Sequence, residues 1–143
     1  MNAAQRDRMV DKIVAALSGE VSGKKIGVLG LSFKPETDDV RDAPATEIVS
    51  ALLERGAEVR AYDPAAMKEM GALIPAMTLC KDAYAVCEGA DALVIVTEWN
   101  EFRMLDFGRI RKLLSQPILV DLRNIYDPAR MTAAGFRYVS VGR

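Results

Sequence analysis

Short apolar segments of strand length alternate with helical segments along this chain, and this alternation constrains the fold most strongly. The run 92–96 is continuously apolar, as expected of a strand at the centre of a sheet covered on both faces. We therefore predict an α/β fold: a Rossmann-like, doubly wound, mostly parallel sheet of about six strands with helices on both faces. The predicted strands are 26–30, 58–62, 77–79, 92–96, 117–121 and 136–139, and the predicted helices are 4–18, 44–55, 63–71, 82–88, 107–114 and 127–135.

The first residues are predicted to form a separate element. Residues 4–18 place apolar side chains along one stripe of a helix, and 18–23 is typical of a connector. We therefore divide the chain into a helical part, 1–22, and a main domain, 23–143. The helix could pack outside the main domain, and its stripe needs a partner. That partner is this domain, another chain or a segment beyond the sequence.

Composition excludes several classes of function. The net charge is −1 and no basic block is present, which disfavours nucleic acid and anionic membranes as partners. Histidine is absent, which removes Ser-His and Cys-His pairs and the commonest zinc ligand. There is no signal-peptide core and no apolar run of about 18 residues, so we expect a soluble, cytoplasmic protein. Cys80 and Cys87 fit neither CxxC nor zinc spacing, and on one helix they would be buried thiols on one face.

The connection after the first strand is the most unusual segment. It lacks the G-x-G-x-x-G fingerprint of dinucleotide-binding folds and runs about 13 residues, whereas such connections usually have about 2–6. Long loops in compact domains tend to be functional. Lys34 and Arg41 suit phosphates, and Phe33 could stack on a base or ring. Alternatively, the four acids of the loop only pair with these cations and cap the helix that starts at Pro44.

Four further residues, in two segments, follow predicted strands. Asp63 stands where dinucleotide folds place a ribose-binding acid, but the Pro64 that follows favours helix capping. Trp99 is interpreted as a packing anchor rather than a ligand contact. Glu98 and Glu101 could form an acid pair for general acid–base chemistry, although no nucleophile or metal site is apparent beside them.

Arg123 follows the strand 117–121 and is a second candidate cation. We expect it near the same sheet edge as Lys34, where two cations could bind a diphosphate or carboxylate. Alternatively, Arg123 pairs with Asp121 or Asp127.

The loop Gly30-Leu-Ser-Phe-Lys-Pro-Glu-Thr-Asp-Asp-Val-Arg-Asp-Ala-Pro44 resembles a motif in the C-terminal domain of the UDP-glucose 6-dehydrogenases, within the UDP-glucose/GDP-mannose dehydrogenase family. Four later segments resemble the same family, in its order. The resemblance covers nearly all of residues 24–143, and residues 1–20 resemble the end of the family's interdomain linker helix. The four segments are Arg60-Ala-Tyr-Asp-Pro64, Ala90-Asp-Ala-Leu-Val-Ile-Val-Thr-Glu-Trp-Asn-Glu-Phe102, Val120-Asp-Leu-Arg-Asn-Ile-Tyr-Asp127 and Gly135-Phe-Arg-Tyr.

This resemblance implies an activity and roles for individual residues. The family oxidises UDP-glucose to UDP-glucuronate with NAD through a catalytic cysteine, and its C-terminal domain grips the UDP portion. By position, Phe33, Lys34 and Arg123 match family residues that bind the nucleotide sugar. Arg41 matches an arginine that reaches across the cleft towards NAD, which is held mainly by an N-terminal domain. The family commonly forms homodimers through the linker helix.

The dinucleotide fingerprint and the nucleophile segment of the family are absent from this sequence. Neither Cys80 nor Cys87 has the context of that nucleophile, so we assign no catalytic residue and no metal ligand. We expect a fragment that is inactive alone and needs the missing N-terminal domain. Alternatives are the same domain of a GDP-mannose or UDP-N-acetylhexosamine 6-dehydrogenase, a non-catalytic nucleotide-binding module, or a receiver-like signalling domain.

Overall fold

A computed structural model describes residues 2–141, so Met1, Gly142 and Arg143, at the ends of the two predicted parts, lie outside the described residues. Helices and strands alternate from β1 onwards, as predicted. Every strand pairing is parallel. The elements are α1 Ala3–Ala16, β1 Lys25–Leu29, α2 Pro44–Glu54, β2 Glu58–Tyr62, α3 Met67–Leu73, β3 Thr78–Leu79, α4 Ala83–Cys87, β4 Ala92–Ile95, a 3-10 helix Asn100–Met104, α5 Phe107–Leu113, β5 Ile118–Asp121, α6 Pro128–Ala133 and β6 Arg137–Ser140.

The six strands form one sheet in the order β3-β2-β1-β4-β5-β6. This is the Rossmann order, and the direction of winding reverses between β1 and β4. It excludes the receiver-like alternative, because in flavodoxin-like folds the second strand lies at the edge of the sheet. The predicted doubly wound, mostly parallel α/β fold is therefore confirmed.

Helices cover both faces of the sheet. Alternate residues of β4 belong to different cores: Val94 lies in the same core as Ile48 of α2, and Leu93 lies in the same core as Ile110 of α5. β4 and β5 are buried along their whole length, which explains their uninterrupted apolar sequence.

The N-terminal helix packs on this domain. Val10, Ile13 and Ala16 are each at most 2% exposed, and Ile13 and Ala16 share a core with α2 and the sheet. Lys12 Nζ donates to the carbonyl of Ser140 at 2.8 Å, which ties α1 to β6. The apolar stripe therefore has its partner within the chain.

The 3-10 helix Asn100–Met104 was not predicted and several element bounds differ from the prediction, and two differences concern residues singled out above. The helix expected to start at Asp63 begins at Met67 and continues through Gly71, because Asp63 bonds to the loop after β1 and forms a turn before the helix. Cys80 and Cys87 do not share a helix, since Asp82 caps α4 after Cys80. Cys87 is buried and Cys80 is partly exposed.

Candidate functional site

The carboxyl ends of four strands form one row at the edge of the sheet. Leu29 is in register with Tyr62 and with Ile95, and Ile95 is in register with Asp121. The segments that follow these residues therefore lie side by side across the point where the strand order reverses. In open parallel sheets this edge is where ligands bind. These are the four segments that the sequence marked as candidates.

The loop after β1 is closed by its own hydrogen bonds. Phe33 N donates to the Asp39 carbonyl at 2.7 Å, and Asp39 N donates to Thr37 Oγ1 at 3.1 Å. The Arg41 guanidinium spans the Asp39 carboxylate, with Nε and Nη2 donating at 3.1 and 3.0 Å. This contact lowers the pKa of Asp39. We considered above that the acids of this loop only pair with its cations and cap the helix that starts at Pro44. One part of this alternative holds, because Asp39 pairs with Arg41.

The other parts of that alternative fail. Helix α2 begins after Ala43, which offers no side-chain cap, so the acids of the loop do not cap it. Lys34 is exposed, and no ion pair or hydrogen bond of its side chain is found within residues 2–141. Phe33 is 50% exposed, whereas Leu31 and Ser32 just before it are fully buried. Phe33 and Lys34 therefore project from an anchored backbone.

Asp63 is buried and bonded entirely to protein groups. Its Oδ1 accepts from the Ala65 and Ala66 amides, each at 2.8 Å, in the turn before α3. Its Oδ2 accepts from the Leu31 and Ser32 amides at 2.7 and 3.0 Å. Since its relative exposure is 0%, it cannot reach a ribose in this state. It does not cap α3 as predicted, because the N-cap is Ala66, without a side-chain hydrogen bond; Asp63 instead stabilises the turn before the helix.

The segment after β4 contributes an anchor and two separate acids. Trp99 is 8% exposed, and its indole Nε1 donates to Ser32 Oγ at 3.1 Å, so it is a packing anchor with a polar function. Glu101 accepts from the Tyr62 hydroxyl at 3.3 Å, and Glu98 bonds to Arg123. The two glutamates therefore have different partners, and the structure gives no support to a general acid–base pair.

Arg123 pairs with Glu98, a partner that the sequence did not indicate. Its Nη2 and Nε lie 2.6 and 2.7 Å from Glu98 Oε2. The side chain of Arg123 is 39% exposed and that of Glu98 is 24% exposed, so the pair remains open to solvent. Asp121 accepts from the backbone amide of Arg123 at 3.0 Å rather than from its guanidinium. Neither predicted partner, Asp121 or Asp127, forms the ion pair.

The cysteines give no nucleophilic or metal site. Burial raises the pKa of Cys87 to about 12 and also raises that of Cys80, so both thiols are protonated at neutral pH. Within residues 2–141, no group of three acidic or thiol side chains is placed to hold a metal ion. In the same range, no helix is long and apolar enough to cross a bilayer.

Two groups of site-forming residues escaped the sequence analysis. Ser32 and Thr97 bond to each other's segments, with Thr97 Oγ1 donating to the Ser32 carbonyl at 2.7 Å. On the other side of the edge, the Tyr138 hydroxyl donates to Asp121 Oδ2 at 2.7 Å. Their positions in the sequence could have indicated these contacts. Each of these residues lies in a strand, or just after one, that is adjacent in the sheet to the strand of its bonding partner.

The family model described as UDP-glucose/GDP-mannose dehydrogenase family, UDP binding domain, matches residues 27–128. This range contains the four segments that follow β1, β2, β4 and β5 at the edge described above. The chain belongs to this family. A UDP-glucose 6-dehydrogenase of Rhizobium meliloti (strain 1021) is 49% identical over 143 residues, covering all of this chain and 33% of the relative. This UDP binding domain therefore spans about a third of the length of the curated relatives that it matches.

Solved structures agree with this assignment. A UDP-glucose dehydrogenase from Pyrobaculum islandicum is 35% identical with a TM-score of 0.73, over 84% of this chain and 26% of that one. An NDP-N-acetyl-D-galactosaminuronic acid dehydrogenase from Methanosarcina mazei Go1 is 26% identical with a TM-score of 0.84, over 96% and 29%. The fold of the UDP binding domain is thus shared by dehydrogenases of different nucleotide sugars.

Proposed function

We propose that this domain grips the UDP portion of UDP-glucose through Phe33, Lys34 and Arg123. The observation that carries the proposal is the abrupt change after Ser32, from fully buried residues to the exposed Phe33 and Lys34, at the ligand-binding edge of the sheet. In this proposal Lys34 and Arg123 bind the diphosphate oxygens, and Phe33 covers the base or sugar.

We further propose that the domain serves a UDP-glucose 6-dehydrogenase, which converts UDP-glucose to UDP-glucuronate. Identity of 49% to a UDP-glucose 6-dehydrogenase favours this substrate over other nucleotide sugars. The similarity to an N-acetyl-hexosaminuronate enzyme keeps a sibling substrate as the second candidate. A titration comparing UDP with GDP separates the uridine from the guanosine alternatives.

NAD does not fit the residues of this domain as a principal site. The first turn has no glycine fingerprint, and the Asp63 carboxylate that would meet a ribose is buried and fully bonded. Arg41 remains the candidate contact to the cofactor, since its side chain is 88% exposed despite its contact with Asp39. The proposal therefore assigns the main NAD site and the nucleophilic cysteine to a partner domain.

A homodimer through α1 is a further proposal drawn from the family. The apolar stripe of α1 is already buried on this domain, with Val10, Ile13 and Ala16 inside. A dimer would therefore use the remaining, exposed face of the helix. A cytoplasmic location is likewise proposed from the family.

Replacing Lys34 with alanine is expected to weaken UDP binding about tenfold, equivalent to about 1.4 kcal/mol, because a cation on the diphosphate is lost. NMR titration of the chain with UDP measures this and is also expected to shift the Phe33, Lys34 and Arg123 amides. Lys112→Ala, an exposed lysine on α5, is the matched control and should bind as the wild type does. Shifts clustered away from this edge would contradict the site.

Replacing Glu98 with glutamine is expected to strengthen UDP binding by roughly threefold to tenfold at low salt, because it removes a negative charge that occupies Arg123. Glu101→Gln changes the same charge in the same segment, but Glu101 bonds to Tyr62 rather than to a cation, so little change is expected. Weaker binding by the Glu98 variant would mean that the ion pair holds Arg123 in its binding position, contrary to this prediction.

A further inference from the structure

A buried polar network holds the backbone that precedes Phe33. Oδ2 of Asp63 accepts from Leu31 N, Ser32 N and Ser32 Oγ at 2.7, 3.0 and 3.1 Å. Ser32 is also held from the side of β4, because Thr97 Oγ1 donates to the Ser32 carbonyl at 2.7 Å. The segment is therefore fastened to the strand ends on both sides, β2 and β4.

Trp99 completes this network. Its indole Nε1 lies 3.1 Å from Ser32 Oγ and 3.2 Å from Asp63 Oδ2, so one N–H is shared between the two oxygens. Asp63 and Ser32 are 0% exposed and Trp99 is 8% exposed. Asp63 thus accepts from six protein donors, three in the loop after β1, one in Trp99 and two before α3. Buried polar groups of this kind are costly to leave unpaired, which makes the arrangement well determined.

The network ends where the proposed ligand contacts begin. Ser32 is its last member, and the next two residues are the exposed Phe33 and Lys34. A backbone that is fixed before the ligand arrives loses less conformational entropy on binding. The strength of UDP binding should therefore depend on groups that never touch UDP.

We infer that Asp63, Ser32 and Trp99 are positioning residues, which hold Phe33 and Lys34 in place for the nucleotide sugar. This inference rests on the proposed function for its ligand. It gives Asp63 a role other than ribose binding, and it gives Trp99 a role beyond packing.

The test compares Ser32→Ala and Trp99→Phe with the wild type. Ser32→Ala removes the hydroxyl between Trp99 and Asp63, and Trp99→Phe keeps an aromatic ring but removes the N–H. The matched control is Ser115→Ala, because the Ser115 hydroxyl bonds to Ala90 and Asp91 near the amino end of β4.

We expect both variants to bind UDP about fivefold more weakly and to exchange the Phe33 amide proton faster. The control should match the wild type in both respects. Trp99 is the only tryptophan, so its single indole N–H resonance should shift as UDP binds to the wild type. A merely structural role would leave this resonance unchanged when UDP binds, and would leave the affinity of both variants for UDP unchanged.

The outcomes separate the two ideas. If the wild type does not bind UDP, the proposed function fails. If the wild type binds UDP and both variants bind it equally well, the positioning inference is wrong and the proposed function stands. Asp63→Asn is a third variant. It replaces one carboxylate oxygen, which accepts hydrogen bonds, with an NH2 group that would face the same donors and find no acceptor. We expect it to weaken UDP binding at least as much as Ser32→Ala.

Discussion

Replacing Gly30 with alanine is expected to destabilise the domain by at least about 3 kcal/mol. Gly30 has a φ of +95°, a region that side chains disfavour, and its added Cβ would lie 2.5 Å from both Cβ and N of Thr97. The N of Thr97 is a backbone atom, so the clash cannot be relieved by a side-chain rotation. Urea denaturation of the two proteins measures the difference in the free energy of unfolding.

Gly19→Ala is the matched control for this effect. Gly19 has a φ of +94°, nearly the same as Gly30, but no atom lies within 4 Å of its added Cβ. It should therefore cost only the backbone strain, about 1–2 kcal/mol. The difference between the two variants isolates the close approach of Gly30 to Thr97. Equal losses would show that the segments after β1 and β4 do not meet at Gly30 and Thr97 as described.

Replacing Phe102 with alanine is expected to cost about 3–5 kcal/mol, because it removes a large ring from a packed core. Phe102 is 0% exposed, and its ring meets that of Tyr62 at a centroid distance of 6.3 Å. Its carbonyl also accepts from the Tyr126 hydroxyl at 2.5 Å, so the cavity would lie beside a buried hydrogen bond. Urea denaturation again measures the loss.

Phe33→Ala is the matched control: it makes the same chemical change at an exposed phenylalanine instead of a buried one. Because Phe33 is 50% exposed, its loss should alter the free energy of unfolding by less than about 0.5 kcal/mol. If Phe33→Ala destabilised the domain as much as Phe102→Ala, Phe33 would be a packing residue and its proposed place in the ligand site would be wrong.

Local signals predicted most of the fold. The β1, β2, β4 and β5 segments were recognised as short apolar or alternating runs, because a buried strand leaves its pattern in consecutive residues. Asp82 and Asp127 were correctly placed at helix starts, since a cap bonds to an amide three residues away. The loop after β1 was found by its length and charges, and the family by five segments in order.

The chain order of the elements did not contain the contacts between them. Arg123 was expected to pair with Asp121 or Asp127, both nearby in sequence, yet its partner is Glu98 on the neighbouring strand's loop. Asp63 was predicted to start a helix. Instead, its Oδ2 accepts hydrogen bonds from the loop after β1, and α3 begins only at Met67.

The sequence by itself therefore determined the α/β class, the alternation of elements and the loop that projects Phe33 and Lys34. Tertiary structure alone decided the strand order, the burial of α1 on this domain and the network of Asp63, Ser32 and Trp99. The physical reason is the range of the interactions. Periodicity and capping act within a few residues, whereas a buried carboxylate is satisfied by whichever donors the neighbouring strands bring to it, here about 30 residues away along the chain.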